Sequence, residues 1–99
     1  MIKAIYNSTY LAPGVRTYIV KKSEYNNIIL SLPLVDFERK YNDIYEGFVV
    51  TIINASQNQV LIESGAGYNI KGVDDYFILY PKQSITFHNL KSTWYAISK

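Results

Sequence analysis

Short apolar, β-branched runs alternate with turn residues along most of this chain. The strongest run, 48–53, is apolar on both faces, as in a central strand, whereas 84–88 alternates polar and apolar residues, as in a half-buried strand. Turn signals recur roughly every 8–12 residues, which is typical of sandwiches and barrels. The pattern predicts an all-β fold, a single small antiparallel β-sandwich or barrel-like domain with about seven strands and little helix.

The apolar runs also predict which residues pair and which are buried. The segment 59–63 is expected to pair back on 48–53 as a hairpin across the turn at 54–58. Trp94 has two interpretations, a core anchor or a binding-surface aromatic, and burial is favoured because large rings dominate the cores of small β domains. The predicted core, taken from alternating strand positions, is Val50, Ile52, Val60, Ile62, Leu79, Phe87 and Trp94.

The pattern weakens towards the start of the chain. Residues 1–14 show one clear signal, the turn Pro13-Gly14, and are followed by predicted strands at 15–20 and 28–32. We therefore expect one compact domain with an N-terminal strand or docking segment, 1–29, and a β domain, 30–99. Between 36 and 46 a short helical turn and a solvated loop both remain open, because Phe37, Tyr41 and Tyr45 are spaced four apart.

Composition bears on partners more than on chemistry. The chain has 99 residues, a net charge of +2, no cysteine and ten tyrosines. A scattered, weak positive charge argues against nucleic acid, and the chain has neither a run of membrane-spanning length nor the pattern of a signal peptide. Tyrosine carries an apolar ring and a polar hydroxyl, which suits protein contacts. The expected partner-binding residues lie in the N-terminal segment: Tyr6, Tyr10, Tyr18 and Tyr25.

The residues that carry catalysis or bind metals do not form a recognised constellation. His88 is the single histidine, so neither a histidine-centred triad nor a histidine–cysteine metal site can be assembled. The acids Asp74 and Asp75 follow a glycine, which is typical turn chemistry. Gly65-Ala66-Gly67 precedes a predicted strand rather than the helix that a phosphate cradle needs. We expect no enzyme activity, no catalytic residue, no cofactor and no metal.

The order of several short motifs resembles the small β-rich virion modules of tailed phages, found in head fibres, tail fibres and capsid decoration proteins. The resemblance covers about residues 30–98. It rests on these positions: Leu32-Pro33, Gly47, Val50-Thr51-Ile52, Asn54, Val60, Ile62, Ile70, Gly72, Ser84, Thr86, Phe87, Trp94, Tyr95 and Ile97.

The resemblance implies a non-enzymatic virion structural protein, most simply a capsid decoration, auxiliary or head-fibre subunit. Its partners would be other virion proteins, such as the major capsid protein or fibre subunits. It would form a homo-oligomer, of which a trimer is one form, and would be made in the host cytoplasm. The alternative is a small binding module that recognises glycan or protein at a cell surface through exposed tyrosines.

Overall fold

The structure is a computed structural model that describes residues 2–11, 17–21, 28–33, 48–65, 68–90 and 93–98. Within these ranges every regular element is a strand. In chain order the strands are β1 (Ile2–Ile5), β2 (Thr9–Tyr10), β3 (Thr17–Val20), β4 (Ile28–Ser31), β5 (Phe48–Asn54), β6 (Val60–Glu63), β7 (Asn69–Ile70), β8 (Phe77–Leu79), β9 (Ser84–Leu90) and β10 (Thr93–Ser98).

The strands form two mixed sheets that pack together. One sheet has six strands in the order β1-β3-β5-β9-β10-β7, and the other has four in the order β2-β4-β6-β8. The inward-facing apolar side chains of both sheets belong to one cluster. The predicted all-β class and the small sandwich are therefore confirmed. No helix within the described ranges has the length and hydropathy to cross a membrane.

The first six strands are stacked in parallel, which differs from the antiparallel pairing predicted. Within the first six strands the chain passes three times from the six-stranded to the four-stranded sheet, as β1–β2, β3–β4 and β5–β6, and we call each of these strand pairs a coil. Each of these coils lies on the previous one, so that β1, β3 and β5 are parallel, as are β2, β4 and β6. Antiparallel pairs appear afterwards, where β9 joins β5 and β10, and where β8 joins β6.

The predicted hairpin between 48–53 and 59–63 is wrong, because β5 and β6 belong to different sheets. A buried corner redirects the chain. The Asn54 side-chain amide donates hydrogen bonds to the carbonyls of Asn58 (2.8 Å) and Leu79 (3.0 Å). Its Oδ1 accepts from the Ser56 hydroxyl at 2.6 Å and from the Ser56 N–H at 3.0 Å. The segment read as a hairpin turn is thus the corner that carries the chain between the sheets.

The core prediction is confirmed, since all seven residues named from the sequence are buried. Trp94 is 0 % exposed, which supports its role as a core anchor. Phe77 and Phe87 pack edge to face with ring centroids 5.3 Å apart. The core also includes residues from the part of the chain that showed little pattern, Ile5 and Leu11.

Most other predicted strands are present with shifted ends. The strand expected at 15–20 is described from Thr17, and that at 28–32 ends at Ser31, whereas 84–88 extends to Leu90. Residues 1–14, which showed no strong pattern, supply β1 and β2. The segment 36–46, with its open choice between helical turn and loop, lies outside the described residues.

Candidate binding surfaces

The first coil, β1 and β2, forms an open end of the sandwich. Among the described residues each strand has a neighbour on one side only, β3 for β1 and β4 for β2, and each is the first strand of its sheet. Three residues separate the two strands, and both Ile5 and Leu11 reach the same core, so the two free edges lie at the same end of the molecule. An unpaired edge presents backbone donors and acceptors that another strand can bind. We call this surface the open end.

The backbone groups that face outward at the open end follow from the parallel ladder. The Ile5 carbonyl accepts a hydrogen bond from the Lys21 N–H at 2.9 Å, so the polar groups of Ile5 point towards β3. Along a strand these directions alternate between residues. The N–H and C=O groups of Ala4 therefore point away from the sheet. By the same alternation, those of Ile2 and Tyr6 point in the same direction as those of Ala4.

Rows of core-facing residues, in register across neighbouring strands, end in polar residues at this surface. Tyr18 and Ile52 are buried and in register with Lys3, which is exposed. On the other sheet the buried Leu30 is in register with the exposed Thr9. An inward-pointing charge on an edge strand discourages indiscriminate strand addition. The open end is therefore selective about which strand can pair with it.

The four tyrosines named from the sequence do not lie together. Tyr6 is 54 % exposed and Tyr10 is 81 % exposed, and both belong to the open end. Tyr18 is 1 % exposed, because it lies on β3 at an inward position like Val20, so it does not contribute to the surface. Tyr25 lies outside the described residues. The sequence found two of the surface tyrosines but missed Ile2, which is 66 % exposed beside them.

A second surface feature is a shallow cleft of about 350 Å³ near the end of β6. Its walls include three carboxylates and two rings, from Glu63, Tyr68, Asp74, Asp75 and Tyr76. Among the described residues, no group of three or more His, Cys, Asp or Glu side chains is arranged to hold a metal ion. Carboxylates accept hydrogen bonds from hydroxyl groups, and exposed rings pack on apolar faces. The cleft thus has the chemistry to contact a polyhydroxylated ligand.

Other candidates from the sequence have structural positions. His88 lies on β9, half-buried and opposite Val49 and Tyr95 in the six-stranded sheet. Gly65 precedes the undescribed residues 66–67, and its carbonyl accepts a hydrogen bond from the Tyr68 N–H at 3.0 Å, as a turn does. Comparison of the chain with protein-family models, with curated proteins and with solved structures finds no match.

Proposed function

We propose that this chain is a non-enzymatic structural subunit that assembles with other protein subunits through its open end. The observation that carries the proposal is a strand edge that no other described strand pairs with, flanked by exposed Tyr6 and Tyr10. Edge strands bind other chains through main-chain hydrogen bonds, while neighbouring side chains provide selectivity. Tyrosine is enriched in protein interfaces because its ring buries a large area and its hydroxyl keeps a polar partner.

The finer proposal is that the assembly is a tailed-phage virion, with this chain as a capsid decoration, auxiliary or head-fibre subunit. The support is the order of motifs in residues 30–98, from Leu32-Pro33 to Trp94-Tyr95, which resembles small virion modules. Its partners would be the major capsid protein or fibre subunits, together with further copies of itself. The chain would be made in the host cytoplasm and would end in the particle.

Incorporation into particles tests this proposal. In a host that carries the gene and yields phage, purified particles are probed with an antibody against this chain. We expect the chain to sediment with the particles, and Tyr10→Ser to reduce its incorporation at least about tenfold, because a hot-spot tyrosine contributes about 1.4 kcal/mol or more. The matched control is Tyr80→Ser, since Tyr80 is exposed but lies at the end of β8, away from the open end. Absence of the chain from particles would refute the virion assignment.

A second candidate function, glycan recognition at a cell surface, is favoured by the cleft of Glu63, Asp74, Asp75 and Tyr76. Here the exposed Tyr76 ring would pack on a sugar face while the carboxylates accept hydrogen bonds from its hydroxyls. A glycan array followed by calorimetry on any positive sugar checks this candidate. Binding that is lost in Tyr76→Ala and kept in Tyr80→Ala supports it, and an array without positives excludes it.

A further inference from the structure

The geometry points to a second copy of this chain as the protein that covers the open end. The two copies join β1 to β1 in antiparallel fashion, around a two-fold axis that passes between their Ala4 residues. The six-stranded sheet then continues from one subunit into the other. This inference rests on the proposed function, because it names the partner at the same surface.

The backbone of β1 is prepared for this pairing. The outward-facing groups belong to Ile2, Ala4 and Tyr6, since Ile5 bonds towards β3 through the Lys21 N–H. In an antiparallel pair, opposite residues that face each other exchange both of their hydrogen bonds. With Ala4 opposite the partner's Ala4, Ile2 lies opposite the partner's Tyr6 and Tyr6 opposite the partner's Ile2. All three outward-facing residues of each subunit are then paired.

The neighbouring registers are poorer. A shift in one direction leaves Tyr6 without a partner and brings Lys3 directly opposite the partner's Lys3, where like charges repel at close range. A shift in the other direction leaves Ile2 unpaired. In the Ala4-centred register Lys3 instead lies opposite the partner's Ile5, and its alkyl chain covers that apolar residue while the ammonium group reaches water. The repulsion between the two Lys3 residues and the number of paired residues together favour the Ala4-centred register.

The side chains identify the occupant as a second copy. Ile2 and Tyr6 are both exposed, at 66 % and 54 %, and alternation places them on the same outer face of β1. Cross-strand pairs of an aromatic and a β-branched residue are favourable in sheets. In the two-fold dimer the pair of Ile2 and the partner's Tyr6 forms twice, and it needs only residues of β1 together with Tyr6. β1 is thus complementary to itself when read in reverse.

Cysteine cross-linking tests the register, since the natural chain contains no cysteine. In the proposed pair the Cα atoms of the two Ala4 residues lie about 5.5 Å apart, so the thiols of Ala4→Cys are within reach of a disulfide or a short thiol cross-linker. We expect a cross-linked dimer that forms at least about tenfold faster for Ala4→Cys than for Lys3→Cys, whose Cα atoms lie about 7–8 Å apart diagonally. Ala96→Cys, on the exposed part of β10, is the control and should stay monomeric on denaturing gels. Faster cross-linking through Lys3→Cys, or none through Ala4→Cys, would overturn the register.

Mass measurement of the full chain tests the dimer itself. Light scattering over about a hundredfold range of concentration should show a monomer–dimer equilibrium, as mass action requires. Ala4→Pro removes an N–H that faces away from the sheet, a position where edge strands tolerate proline, so the variant should fold and remain monomeric. Tyr6→Ser should weaken the dimer, while Tyr80→Ser should not. A wild-type chain that is monomeric throughout, or trimeric, overturns the inference.

The two proposals can fail separately. A monomeric chain that still enters particles and loses incorporation on Tyr10→Ser refutes the two-fold pairing and leaves the proposed function standing. A dimer with the Ala4 cross-link that is absent from particles supports the pairing and refutes the virion assignment.

Discussion

Asn54 is the residue on which the corner between β5 and β6 depends. Its side chain is fully buried, and its amide makes four hydrogen bonds, two donated to the carbonyls of Asn58 and Leu79 and two accepted from Ser56. The backbone of Asn54 also exchanges hydrogen bonds with Gln83 and Lys82, at 2.9 and 2.7 Å. Asn54 thus connects the corner to β8 through its side chain and to the turn before β9 through its backbone.

Replacing Asn54 should therefore be costly. In Asn54→Ala the carbonyl of Leu79 and the N–H of Ser56 lose their partner inside the protein, and each unsatisfied buried group costs about 1–3 kcal/mol. We expect the free energy of unfolding to fall by about 2–4 kcal/mol in urea titrations. Asn69→Ala, at an exposed position in β7, is the control and should change stability by less than about 0.5 kcal/mol. Equal effects of the two substitutions would contradict this role.

Trp94 shows how a single large ring holds the closing strand. It is fully buried on β10, in register with Asn89 of β9 and Ile70 of β7. We expect Trp94→Ala to lower the free energy of unfolding by about 3–5 kcal/mol, because it removes the buried area and leaves a cavity. Chemical denaturation followed by circular dichroism measures the loss. A loss below about 1 kcal/mol would instead place the ring in a binding surface.

At the scale of elements, the first coil belongs to the fold and also forms its open end. β1 and β2 add one strand to each sheet and bring Ile5 and Leu11 into the core, while the opposite edges of the same strands pair with no other strand in the described part of the chain. The segment expected to be either a docking arm or an added strand thus has the geometry of a strand with a free edge. Stability and assembly are therefore separable by point substitutions at the edge but not by truncation.

Truncation should accordingly unfold or strongly destabilise the domain. A chain that lacks residues 1–11 loses two core side chains, each worth about 1.5–3 kcal/mol on burial, and exposes β3 and β4 as new apolar edges. We expect a loss of roughly 3–6 kcal/mol and a lower Tm by thermal unfolding. Tyr10→Ser is the matched comparison, since it changes the exposed edge and should leave the Tm within about 2 °C. A truncated chain with wild-type Tm would mean that β1 and β2 do not support the core.

At the scale of the whole molecule, the parallel stacking of three coils makes folding depend on distant pairs. The partners of β5 are β3, which precedes it by a long connection, and β9, which follows it after β6, β7 and β8. Among the first six strands that the structure describes, no two consecutive strands pair with each other. The chain must therefore close several loops before its sheets gain hydrogen bonds.

This topology predicts slow folding for a domain of this size. Two-state β proteins dominated by non-local pairs fold in about milliseconds to seconds, whereas helical domains of similar length fold in about microseconds to milliseconds. We expect stopped-flow refolding, followed by the fluorescence of Trp94, to fall in the slower range. Asn54→Ala should mainly raise the unfolding rate if its corner forms after the transition state. Submillisecond refolding of the wild-type chain would contradict the dependence on distant pairs.

The sequence by itself determined the strands and the core from residue 48 onward, because alternation of apolar residues is a local property that a strand preserves wherever it pairs. Thus the seven core residues, including Val50 and Trp94, were identified correctly. Only the tertiary structure decided which strands are neighbours. Nothing in 48–63 distinguishes a hairpin from a corner, since the difference lies in the contacts that Asn54 makes with the distant Leu79.

The open end was likewise beyond the sequence. The coils differ in length: the chain from β3 to β5 is more than twice as long as the chain from β1 to β3. The sequence therefore has no regular repeat that would indicate stacked coils. Whether a tyrosine is buried, like Tyr18, or exposed, like Tyr10, depends on which neighbouring coil covers it. Burial and pairing are properties of the whole stack, and for that reason the free edge of β1 became visible only in three dimensions.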